Sequence, residues 1–185
     1  DQLLAQRQVV VDPTLGAFES LFEDRPGVVG RGMAAVADRM PPLVRRSLLE
    51  GGLPVPAGSE SRYAAALPQM QRMLLALRAA GVKIVAGTDA LPGFTLPREL
   101  ELYVDAGLPA PEVLRIATLD AARHAGREAD LGSIAPGKLA DMILVDGDPA
   151  RTIGDVRRVR LVVKDGALYD PDELCRALGI RPVAH

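Results

Sequence analysis

Eight residues, Val82-Lys83-Ile84-Val85-Ala86-Gly87-Thr88-Asp89, constrain the fold more than any other stretch of the chain. A short apolar run that breaks into small residues reads as a buried strand, with Asp89 presented at its C-terminal end. In α/β barrels that end of the strand carries the chemistry, although a loop aspartate is equally able to cap a turn or helix. A second β-branched run, Arg7-Gln8-Val9-Val10-Val11, stops at Asp12-Pro13-Thr14 and also reads as a strand. Neither run alternates apolar with polar residues, which is the pattern of parallel strands covered on both faces. Two such strands cannot cover themselves.

The connection between them has two parts. Residues 18–61 are punctuated by Gly27, Gly30, Gly32, Pro41, Pro42, Gly51, Gly52, Pro54, Pro56 and Gly58, and are expected to hold short helical pieces at most. A connection of that length is more often a functional loop over a site than a linker. Over residues 67–80, Met70, Met73, Leu74 and Leu77 recur at helical spacing, predicting an amphipathic helix that Gly81 ends and that buries the methionines as core filler. Strand, loop, helix and strand make a βα unit. A closed barrel of eight such units takes about 250 residues, and only the first half of this chain follows the pattern.

Beyond Asp89, Pro97 opens a helix that runs to Gly107, and Pro111 opens another through Val113, Leu114 and Ile116. Thr118 and Asp120 are candidate caps for a further turn carrying His124 and ending at Gly126. The period then shifts. Asp141-Met142-Ile143-Leu144-Val145 and Val159-Arg160-Leu161-Val162-Val163 read as strands, and Asp165-Gly166 is a hairpin signal with Leu168-Tyr169 returning. A last helix follows Asp170, with Glu173 placed to complete a capping box and Gly179 to end it.

With 22 basic and 24 acidic residues, the net charge is −2 and neither sign is gathered into a block, which argues against nucleic acid or an anionic membrane surface as partners. No apolar run approaches the roughly 18 to 20 residues that span a bilayer. Cys175 is the single cysteine, so an internal disulfide is excluded, and its place in a helix reads as packing. No secretion signal opens the chain, which favours the cytoplasm without fixing it. The first residue is Asp1 rather than Met, consistent with processing, a cloning boundary, or a sequence that begins partway through a larger protein.

Five segments occur in order and register: Gly87-Thr88-Asp89, Arg98-Glu99-Leu100-Glu101-Leu102-Tyr103-Val104-Asp105-Ala106-Gly107, Ile116-Ala117-Thr118-Leu119-Asp120-Ala121-Ala122, Leu131-Gly132-Ser133-Ile134-Ala135-Pro136-Gly137-Lys138-Leu139-Ala140-Asp141, and Val163-Lys164-Asp165-Gly166. Together they resemble the C-terminal portion of the metal-dependent amidohydrolase superfamily, and among its branches the imidazolonepropionases and Xaa-Pro dipeptidases. The stretch Val9-Val10-Val11-Asp12-Pro13-Thr14 resembles the penultimate barrel strand. The resemblance implies an α/β fold: the last two βα units of a distorted TIM-like barrel over residues 1–130, strands of a small composite β-sandwich over 131–170, and a C-terminal helix and tail over 171–185.

It also implies hydrolysis of carbon–nitrogen bonds in an amide, cyclic amide or dipeptide by a water on one or two divalent metals, zinc foremost. Water bound to zinc ionises at about pKa 7 against 15.7 in bulk, and a neighbouring carboxylate can take its proton and return it to the leaving nitrogen. By motif that carboxylate, and a metal contact, is Asp89. Thr14 and Phe94 follow the two strand ends and are candidates for the substrate pocket, a turn-stabilising hydroxyl and a core ring being the other readings. Lys138 reads as a solvated turn residue.

The family's other ligands are a His-x-His pair on the first strand, a lysine or carboxylate on a middle strand, and histidines after the fifth and sixth. None has a match. His124 reads as a packing or surface residue, and His185 is terminal. A catalytic zinc takes three protein ligands, so the chain alone is expected to bind no metal stably and to lack activity. Two functions stay open: part of a metallohydrolase completed by sequence outside these residues, or a non-catalytic interaction module derived from one. Either would leave an open parallel edge, which favours self-association.

Overall fold

The computed structural model describes residues 2–91 and 93–182. His185 lies outside them. The described residues form two compact units, one up to Leu108 and one from Pro109.

In the first unit, α1 (Gln2–Gln6) leads into β1 (Val10–Val11), which pairs in parallel with β2 (Lys83–Ile84), Val10 opposite Lys83 and Val11 opposite Ile84. Val85 N–H donates to Val11 O at 3.1 Å and carries the pairing one step further. Both strands are shorter than their apolar runs. Arg7, Gln8 and Val9 donate their N–H groups to carbonyls of α1, and Gln8 takes φ +53°, so the backbone that would extend β1 closes a helix end instead.

Between the strands lie α2 (Leu15–Glu23), α3 (Arg31–Ala34), α4 (Pro42–Ser47), α5 (Glu60–Ala64) and α6 (Ala66–Ala79). Three of these, α3, α4 and α5, fit the short pieces the prolines and glycines allow, but α2 is a nine-residue helix reaching well into the stretch expected to be irregular. Helix α6 follows its predicted span. Its buried face is Leu67, Leu74 and Leu77, with Met70 half-buried, whereas Met73 is 47% exposed and is not core filler. Leu67 supplies the heptad-spaced partner of Leu74 and turns Met73 off the seam.

Helix α7 (Leu96–Ala106) has Pro97 in its first turn and ends at left-handed Gly107, as predicted. It packs on α2 and α6 and buries Glu99, Leu100, Leu102 and Tyr103. With Leu15, Leu74, Leu77, Val82 and Ile84 these form the core of the unit. Each fully buried leucine there contributes roughly 1.5–3 kcal/mol.

In the second unit, α8 (Ala110–Arg115) and α9 (Ala121–His124) are one continuous helix joined by a widened π turn over Ile116–Asp120. Thr118 and Asp120 therefore do not cap a new helix. Thr118 Oγ1 donates back to Leu114 O at 2.7 Å, and Asp120 pairs with Arg115 and Arg123 at 3.0 and 3.2 Å.

Strands β3 (Met142–Val145), β4 (Val159–Lys164) and β5 (Ala167–Tyr169) form an antiparallel sheet in that order, with a bulge at Leu144/Val145. Asp165 (φ +50°) and Gly166 (φ +77°) make the two-residue turn between β4 and β5. Left-handed backbone at both positions is what a tight hairpin requires. Asp141 accepts from Asp165 N–H at 2.7 Å and from Lys164 Nζ at 2.6 Å, fastening the start of β3 to that turn; the lysine holds the carboxyl below its usual range. Helix α10 (Pro171–Ala177) packs on β4 and is capped by Asp170, whose side chain accepts from Asp172 N–H at 2.7 Å. Half-buried Cys175 lies within it.

Candidate active site at the ends of the parallel strands

Past Val11 the chain runs through Asp12 and Pro13 to Thr14, and past Ile84 it runs through Val85 and Gly87 to Asp89. These adjacent loops are pinned to each other and to α7. Gly87 N–H donates to Asp12 Oδ1 at 2.9 Å, and a Cβ at position 87 would overlap the Asp12 carboxylate, so the close approach requires glycine. Tyr103, fully buried, donates its hydroxyl to Val85 O at 2.9 Å. Glu99, also fully buried, accepts the Leu15 N–H on Oε1 at 2.8 Å and the Gly16 N–H on Oε2 at 2.6 Å.

Those two N–H groups open α2. Thr14 stands at its N-cap position with φ +47° and makes no side-chain cap bond, so the capping oxygen comes from Glu99. Burial pushes the Glu99 carboxyl up to about 6, against the two N–H donors that favour its charge; burial and the neighbouring Glu99 carboxylate together push the Tyr103 hydroxyl up. Glu19, on α2 and 1% exposed, is held by a bidentate pair to Arg98 on α7 at 2.6 and 2.9 Å. The sequence reading missed Asp12, Glu99, Tyr103 and the Glu19–Arg98 pair. The available signal was Glu99 four residues before Tyr103 on the apolar side of α7, an acid where a core residue belongs.

Asp89 is exposed, has φ +42°, and makes no hydrogen bond or ion pair with any described residue. Thr14 is half-buried and its hydroxyl likewise has no partner among the described residues. Non-glycine residues in left-handed backbone cluster at functional sites, and here two stand just past neighbouring strand ends. Phe94 is half-buried in the turn before α7. His124 is exposed on α9, and Lys138 Nζ donates to the carbonyls of Glu128 and Leu131.

Among the described residues no group of three or more His, Cys, Asp and Glu side chains is placed to hold a metal ion. Asp89 with its surroundings therefore does not fit a complete metal site. No helix among the described residues is long and apolar enough to cross a membrane. A groove of about 600 Å³ lies between α2, α5 and α6, walled by Phe22, Arg62, Tyr63 and Gln69 among others, and takes no residue from the strand-end loops.

The model of the amidohydrolase family matches residues 42–168. The chain belongs to the amidohydrolase family. An imidazolonepropionase of Shouchella clausii is 34% identical over 97 residues, 48% of this chain and 22% of that protein. An adenine deaminase of Serratia proteamaculans is 37% identical over 86 residues, 43% of this chain and 14% of the relative. Among solved structures, a Xaa-Pro dipeptidase with methionine in its active site superposes over 91% of this chain and 36% of its own, at TM-score 0.65 and 30% identity. A prolidase complexed with N-methylphosphonate-L-proline gives the same coverage and TM-score at 26% identity. The fold of this family member is thus the mixed α/β fold of amidohydrolase structures. The chain spans about a fifth or less of those curated relatives and about a third of those solved chains.

Proposed function

We propose that these residues are the acid-bearing end of a metal-dependent amidohydrolase that hydrolyses carbon–nitrogen bonds in a small amide, cyclic amide or dipeptide. In this reading β1 and β2 are the last two strands of a TIM-like barrel within residues 1–130, residues 131–170 are strands of a composite β-sandwich, and 171–185 are the terminal helix and tail. The open parallel edge is filled by the rest of the barrel or, failing that, by a second copy. The carrying observation is Asp89, exposed, left-handed just past a parallel strand, and without a partner among the described residues.

A carboxylate in that state is free to handle a proton. As a water oxygen attacks the substrate carbon, Asp89 accepts the proton from the breaking O–H bond, and it returns that proton to the nitrogen as the C–N bond breaks. The divalent metal that family membership implies, zinc foremost, would take Asp89 alone from the described residues, and its other ligands would have to come from outside them. The Thr14 hydroxyl and the Phe94 ring are the substrate contacts this chain contributes.

The test is turnover by the complete protein, loaded with zinc, of Xaa-Pro dipeptides and of a cyclic imidazolone amide. Replacing Asp89→Ala removes the proton acceptor and should lower kcat by at least 10²- to 10⁴-fold, the ordinary worth of a positioned base. Retained rates in that variant, or no turnover of any C–N substrate by the wild type, would overturn the reading.

A further inference from the structure

We infer that Glu99 and Tyr103 are positioning residues of the proposed site, one for each strand end: Glu99 caps α2 in place of Thr14, and Tyr103 fastens the strand that leads to Asp89. The inference rests on the functional reading above for the word "site", and on geometry alone for the ties themselves.

A helix ordinarily takes its first capping bond from the residue at its own N-cap, in extended backbone, and threonine is well suited to that work. Thr14 does neither. It is left-handed, with φ +47° and ψ +45°, and its side chain makes no cap bond. The capping oxygens arrive from 84 and 83 residues away, both carboxylate oxygens of Glu99 being used, one on each of the first two N–H groups of α2. The positive end of the helix makes an anion there favourable. The consequence for Thr14 is a hydroxyl without a partner among the described residues, at a backbone angle the cap holds in place.

One turn along α7, Tyr103 reaches the other strand. Its hydroxyl bonds Val85 O, two residues before Gly87, whose N–H is already held by Asp12. A single buried helix face thus carries one polar group to each loop. Packing alone does not call for this, since apolar residues would fill the same space without the desolvation of a carboxylate. The arrangement sets where Thr14 and Asp89 stand relative to one another.

The ties are tested in the complete protein with Glu99→Gln, Tyr103→Phe and a control, Glu19→Gln. The control weakens the other α2–α7 link at Arg98 without touching either loop. Amide exchange should accelerate by about tenfold or more at Leu15 and Gly16 in Glu99→Gln, whose amide puts an NH2 against one of those donors, and at Gly87 in Tyr103→Phe. With a Xaa-Pro dipeptide, Tyr103→Phe should lower kcat by about 10- to 100-fold with KM unchanged, because a base displaced by a fraction of an ångström is lost to the transition state and not to binding. Glu99→Gln should also raise KM through Thr14. Glu19→Gln should lower thermal stability while holding kcat within about twofold.

Equal kcat in Tyr103→Phe and Glu19→Gln, or unchanged exchange at Gly87, would overturn the inference. Should Glu99→Gln not fold, Tyr103→Phe, which keeps the ring, decides alone. If Asp89→Ala retains activity the functional reading fails, while the exchange measurements still judge the ties.

Discussion

Glu99 carries opposing demands, since burial disfavours its charge while two N–H donors favour it, and burial prevails. Its folded-state value, about 6, lies above the ordinary 4.5. Between those values the folded state keeps a proton that the unfolded state has released, so stability falls as pH rises through that window and is level above it. At 1.36 kcal/mol per unit the loss is about 2 kcal/mol. Urea unfolding of wild type and Glu99→Gln at pH 4 and pH 7 measures it: the wild type's advantage over the variant should shrink by about that amount at the higher pH. A constant difference would show that the carboxyl titrates alike in both states. The Gly87 contact makes a second prediction at this scale. Gly87→Ala sets a methyl into the Asp12 carboxylate and should cost about 1–3 kcal/mol in the same unfolding measurement, as overpacking does.

Between elements the strongest polar tie is Arg98 to Glu19, joining α7 to α2, and Arg98 reaches Glu101 and Asp105 as well at 3.2 and 3.6 Å. Removing the guanidinium leaves a carboxylate that is 1% exposed without its partner. Arg98→Ala should therefore lower stability by about 3–5 kcal/mol, whereas Arg98→Met with Glu19→Leu should recover most of the loss because no charge remains buried. Equal losses in the single and double variants would show that the pair contributes through packing only. The same pair explains why some elements are legible in the sequence and others are not. Helices α6 and α7 and the β4–β5 turn carry their own punctuation, Gly81, Pro97 with Gly107, and Asp165-Gly166, and the structure holds all three where the sequence predicts them. Helix α2 carries a cap-type residue, Thr14, that it does not use: its cap is Glu99 and its buried acid is answered by Arg98, both about 80 residues downstream. The continuous α8–α9 helix was hidden for a related reason, Thr118 and Asp120 being good cap residues that here bond back along the helix and out to arginines.

At the scale of the whole molecule, the placement of Asp89 in a loop just past a strand is legible in eight residues, but the scaffold that fixes that loop is not. No group of three or more His, Cys, Asp and Glu side chains among the described residues is placed to hold a metal ion. Oxygen ligands from a single aspartate leave a zinc ion mostly hydrated and in rapid exchange, since tight sites take three or four protein donors. The 185-residue chain, saturated with zinc and then dialysed, should therefore retain far less than one equivalent by elemental analysis. If the proposed function holds, a longer protein that carries the remaining ligands should retain one or two, and Asp89→Ala in it should reduce the amount or speed its loss to a chelator. Stoichiometric zinc on the chain by itself would mean that its own residues assemble a site on binding. In that case the ligands would have to be sought among Asp12, Asp89 and the remaining acidic side chains, and the proton-handling role would need another carboxylate.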